Sequence, residues 1–144
     1  METKEIINAI IVLEIIGKPA EHLTATLKEI AGKIKQEKGI EITEEKVHEP
    51  KLMPNQKDFY TSFAEIQIKA EEITQLVDLI FKYMPAHIEI LSPNSINSSN
   101  NEVGEILSNI IVRLHKYEEL ARAFDMQTNQ MQQKIDELEN KKQK

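Results

Sequence analysis

The longest unbroken pattern in the chain lies in its last third. From Val103 onward, seam positions recur at alternating intervals of four and three residues through Leu107, Ile110, Leu114, Tyr117, Ala121, Phe124, Thr128, Met131, Ile135 and Leu138. That spacing is the a/d seam of a coiled coil, in which a stripe on one helix closes against a partner helix. Up to Phe124 the stripe is broad, because Ile106, Ile111 and Leu120 flank the seam and Val112 lies on the far side. A stripe this wide packs against more than one surface. Beyond Phe124 the flanks become Asp125, Gln127, Gln132, Lys134, Glu139 and Lys141, which leaves only a narrow seam in water. The expected interface between copies is therefore Ile106, Leu107, Ile110, Leu114, Tyr117, Ala121, Phe124, Met131, Ile135 and Leu138. The expected assembly is a homodimer, with a tetramer as the alternative.

Upstream, the periods change. Ile6 to Ile16 is apolar on both alternating sides, with Ile7, Ala9, Ile11, Leu13 and Ile15 on one and Ile10, Val12 and Ile16 on the other, which predicts a central strand. Gly17-Lys18-Pro19 ends it. Pro19 suits the first position of a helix that runs to about Lys38, buries Leu23, Leu27, Ile30 and Ile34, and stops at Gly39. Ile40 to Thr43 restarts an alternation, and the charged continuation Glu44 to Glu49 reads as an edge strand or hairpin arm. Pro50 and Pro54 bracket a turn region. Phe59 to Ala70 forms a third strand with Ala64, Ile66, Ile68 and Ala70 facing inward, a helix follows from Ile73 to Met84, and Ile88 and Ile90 mark a last short strand.

Strand, helix, strand, strand, helix, strand is the βαββαβ order of a ferredoxin-like α+β sandwich, with both helices on one sheet face. The expected organisation is such a domain over residues 1–92, a polar linker over 93–101, and a long coiled-coil helix over 102–144, capped by Ser99 and Glu102. Ile10, Val12, Ile16, Phe59 and Phe63 would share the uncovered sheet face. A cover is expected there, either the broad half of the long helix, from the same or a neighbouring chain, or the matching sheet of a second copy.

The stretch Ile15-Ile16-Gly17-Lys18-Pro19 through Leu23, a first strand ending in glycine with a proline two residues later and a helix behind it, resembles the opening of ACT-like domains. Lys18 and Ala20 stand where that turn usually carries an aspartate and a second glycine. The resemblance implies a regulatory module that pairs sheets and binds a small effector near Gly17. The ligand-binding positions it marks out are Gly17, Lys18, Pro19 and His22.

Composition narrows the function classes. The chain has 144 residues, no cysteine and a formal charge of -6. From Asp125 onward acids and lysines balance, so the excess acid lies upstream and argues against a nucleic-acid partner. The absence of cysteine excludes disulfides and thiolate chemistry and fits a reducing compartment. Ile6 to Ile16 is interrupted by Asn8 and Glu14 and is too short to span a bilayer, so a cytoplasmic protein without a membrane partner is expected.

The candidate chemistry is sparse. Gly17, Lys18 and the helix start behind them could hold an anion, although no glycine-rich phosphate loop is present. His22, His48, His87 and His115 match no metal-ligand spacing and read as solvated side chains. Lys57 to Phe63 resembles the aromatic platform of RNA-recognition domains but lacks its glycine and basic frame, so burial beneath a helix or partner is expected instead. The pairs Glu44-Glu45 and Glu71-Glu72 read as surface charge. The sequence thus points to a non-catalytic, homo-oligomeric binding, scaffold or regulatory protein that needs no cofactor and could take a protein partner or small effector. The alternatives are a small-molecule sensor or enzyme using Gly17, Lys18 and His22, and nucleic-acid binding through the open sheet face.

Overall fold

The computed structural model describes residues 4–144. The chain divides into two compact units, one ending at Asn97 and the other running from Ser98 to Lys144. The first is α+β. Its elements in order are β1 (Ile7–Gly17), α1 (Ala20–Lys35), β2 (Ile40–Val47), β3 (Lys51–Leu52), β4 (Tyr60–Ala70), α2 (Ile73–Tyr83) and β5 (His87–Ser92). The second unit is one helix, α3 (Asn100–Lys142).

All strand pairs are antiparallel, in the order β2-β4-β1-β5, with β3 added alongside β4. The alternation in β1 is realised: Ile7, Ala9, Ile11 and Leu13 are buried, and Ala64, Ile66, Ile68 and Ala70 lie on the same side of β4. Against this face pack Leu27, Ala31 and Ile34 from α1 and Leu76 and Leu79 from α2, so one core lies between the sheet and both helices. The period-two and period-3.6 apolar sets meet there.

Several boundaries differ from expectation. Pro19 is the residue that caps α1, in extended conformation, and not its first helical residue. The helix ends at Lys35, three residues early, where the N–H groups of Gln36 and Glu37 turn back to the carbonyls of Lys33 and Ile34. Gly39 then takes φ +76°, which a side chain rarely adopts, and a Cβ there would fall on the Gln75 side chain. The region between Pro50 and Pro54 is more than a turn, because Lys51 and Leu52 pair with Thr61 and Tyr60 as β3. The last strand extends through Ser92. The linker is not wholly polar in role either, since Ile96 packs against the core.

On the other sheet face the apolar residues are dispersed. Ile10 stands opposite Gln67, Val12 opposite Glu65 and Phe63 opposite Glu14, so apolar and polar positions alternate across the strands. Ile10, Val12, Phe59 and Phe63 are half-buried and Ile16 is exposed.

Ile66 is fully buried, paired with the equally buried Ile11, whereas Ile16 at the other end of β1 is 58% exposed. Ile66→Ala should therefore cost about 2 to 5 kcal/mol of unfolding free energy, and Ile16→Ala under about 1. Urea denaturation of the two variants checks this, and equal midpoints would contradict the packing described.

Candidate functional site

The long helix carries the most conspicuous surface. It runs unbroken for 43 residues, and Ser99 starts it as expected: its hydroxyl accepts from the Glu102 N–H while the Glu102 carboxylate accepts from the Ser99 N–H. No residue of α3 is buried. Leu107, Leu114, Tyr117, Phe124, Met131, Ile135 and Leu138 are 45% to 60% exposed. Because the helix is continuous, the heptad frame is never reset, and these side chains form one stripe from the first turns to the last. A stripe of that kind can take up another apolar helix.

The turn marked out by Gly17, Lys18, Pro19 and His22 is built differently. A Cβ at Gly17 would lie 3.2 Å from the Leu23 side chain, close enough that the leucine would have to give by a few tenths of an ångström. The Lys18 ammonium sits 5.1 Å from the centroid of the Phe59 ring, a cation–π contact. The Pro19 carbonyl accepts the His22 N–H at 3.1 Å, and the His22 side chain is exposed. The four residues thus lie in one turn, and each has a structural partner.

His48 departs from the solvated reading. Its ring stacks on Phe63 at 4.0 Å between centroids, and its Nε2 lies 2.8 Å from the Glu65 carboxylate. The aromatic residues around the start of β4 thus have local partners, His48 beyond the end of β2 on Phe63 and Lys18 by Phe59. His48 and His87 lie towards opposite edges of the sheet. Among the described residues no group of three or more His, Cys, Asp or Glu could hold a metal ion. Glu72, expected as plain surface charge, caps α2 in a reciprocal box with Gln75 and pairs with Lys4. The Glu-x-x-Gln spacing was a readable signal for it.

One polar cluster escaped the sequence reading. Glu37, just after α1, bonds to the Lys82 ammonium and accepts from the Tyr83 hydroxyl at 2.5 Å. Beside it, Glu37, Lys38, Ile40, Gln75, Asp78, Leu79 and Lys82 line a shallow groove of about 200 Å³. These groups come from segments some 45 residues apart in sequence, and no local motif joins them. The hydrogen bonds from Lys82 and Tyr83 hold the Glu37 carboxyl below its ordinary range. Burial first, and the Glu37 carboxylate second, push the Tyr83 phenol up to about 12. The cluster ties the end of α1 to the end of α2.

The architecture defines a class: an α+β sheet protein that carries a long carboxy-terminal helix with an exposed apolar seam. The family model of the MJ0538 family matches residues 8–143, and the chain belongs to that family. No curated protein and no solved structure matches the chain. The comparisons give no assignment to ACT-like domains.

The cluster has a pH signature. A carboxyl whose pKa is lowered on folding stabilises the protein above its unfolded value of 4.5 and loses that contribution as pH falls through the lowered folded value. The stability gap between wild type and Glu37→Gln should thus be full near pH 7 and close below 4.5. For Tyr83 the raised value works oppositely: its contribution is present below the ordinary phenol value of 10 and lost as pH rises from 10 through about 12. A phenolate absorbance titration should show a late phase that Tyr83→Phe abolishes. A gap that stays constant with pH, or the persistence of the late phase in the variant, would count against the network.

Proposed function

We propose that the protein is a non-catalytic, homo-oligomeric scaffold or regulatory protein of the cytoplasm, assembled through α3. The observation that carries this reading is the seam of α3, apolar along most of its length and exposed except at Ile110, which is half-buried. Long helices in proteins owe most of their stability to packing of an apolar face, and large exposed apolar stripes mark contact surfaces. The body is read as ferredoxin-like, a reading supported by the strand order β2-β4-β1-β5 and by both helices sharing one core with the sheet. An acidic balance of -6 disfavours a phosphate-backbone partner. No described helix is long and apolar enough to cross a membrane. The absence of cysteine fits a reducing compartment.

A sensor or enzyme role for the turn at Gly17 to His22 has less support, because Lys18 lies over Phe59 and Gly17 lies close against the Leu23 side chain.

Sedimentation equilibrium tests the assembly. The full chain should sediment as a dimer or tetramer at micromolar concentration. Leu114→Asp, which buries a charge in the seam, should weaken association by about two orders of magnitude or more. A wild-type chain that remains monomeric would overturn the reading.

A further inference from the structure

We propose that α3 pairs with the α3 of a second copy in parallel orientation, selected by a segregation of charge along its two flanks. The inference rests on the reading of α3 as a self-association helix and adds the geometry of the partner. With Leu107, Leu114, Ala121, Thr128 and Ile135 at a and Ile110, Tyr117, Phe124, Met131 and Leu138 at d, the flanking positions are fixed by the unbroken helix. The g positions are Ile106, Arg113, Leu120, Gln127, Lys134 and Lys141. The e positions are Gly104, Ile111, Glu118, Asp125, Gln132 and Glu139. Every charged g residue is basic, and every charged e residue is acidic.

That sorting decides orientation whatever the register. In a parallel pair g lies beside the e of the following heptad on the other helix. Arg113 then meets Glu118 of the second copy, Lys134 meets Glu139, and Ile106 meets Ile111, which widens the apolar core. In an antiparallel pair g lies beside g and e beside e, so every charged contact is between like charges or with a neutral residue. Glu118 already bonds Arg122 one turn along its own helix at 2.6 Å. That pair is exposed and leaves the carboxylate open to a second donor. The occupant that fits the stripe is therefore another α3 running the same way, with both chains entering from the same end.

The cysteine-free chain permits a direct test on the full-length protein. Glu105 and Gln133 occupy f positions, away from the seam, and lie roughly 40 Å apart along one helix. Glu105→Cys and Gln133→Cys are made singly, spin-labelled, and the label-to-label distance is measured by pulsed electron paramagnetic resonance. Parallel pairing gives a distance of roughly 20 to 30 Å at both sites, since packed helix axes lie about 8 to 10 Å apart. In any antiparallel register at least one site must exceed roughly 40 Å, which would overturn the orientation while leaving self-association standing. A wild type that sediments as a monomer would instead remove the reading beneath it. Charge reversal gives a second readout with a sign. Lys134→Glu should weaken association by roughly two- to thirtyfold, and adding Glu139→Lys should restore it. Tighter or unchanged association in Lys134→Glu would contradict the proposal.

Discussion

The antiparallel ladder between β1 and β4 runs from Ile7 opposite Ala70 to Gly17 opposite Tyr60 without a bulge, and the α+β unit is arranged around it. Each strand has its remaining side taken by another, β5 beside β1 and β2 beside β4. The buried faces of the two central strands supply most of the core to which α1 and α2 add. An unbroken register matters because side chains alternate with period two: a slip of one residue would carry Ile7, Ala9, Ile11 and Leu13 to the open face. The helices fit only the register observed.

The two units solve the same problem by opposite means. In the sheet unit, apolar side chains are buried within one chain, and the open face breaks its remaining apolar residues up among Gln67, Glu65 and Glu14. Where an aromatic ring remains there, it finds a specific cover, His48 on Phe63 and Lys18 by Phe59. In α3 the apolar residues are gathered instead of dispersed, and the local chemistry fixes only the start, through Ser99 and Glu102. Exposed apolar surface concentrated in this way is unusual on a monomer.

What the sequence made legible follows from how local the governing interactions are. The inward sets of β1 and β4 and the Ser99 cap follow from spacing alone, whereas the helix faces are only partly where the period places them: α1 buries Ala31 and leaves Ile30 half-buried, and α2 buries Leu76 and Leu79 while Met84 is exposed. Helix ends were less legible: α1 stops at Lys35 through a tightening turn, four residues before the Gly39 that looked like its terminator. Contacts between distant segments left no local trace. Glu37 with Tyr83, His48 with Glu65 and the pairing of Lys51 with Thr61 depend on how the chain returns upon itself. At the Gly17 turn, a residue pattern that resembles a ligand loop also has a packing partner that spacing does not reveal, the Leu23 side chain behind the glycine.

The edges of the sheet bear on what assemblies the chain can reach. Strand addition has no natural end, because each added strand presents a new edge and growth continues into fibres. Here β2 carries Glu41, Glu44, Glu45 and Lys46 and is bulged between Ile42 and Glu44, while β5 has only six residues, shifts register beside Asn8 and is followed at once by Pro93. Both edges are poor templates. A helical seam, by contrast, is used up once the ring of helices closes. If α3 assembles as proposed, poor edges on one unit and a saturable stripe on the other would confine association to complexes of finite size.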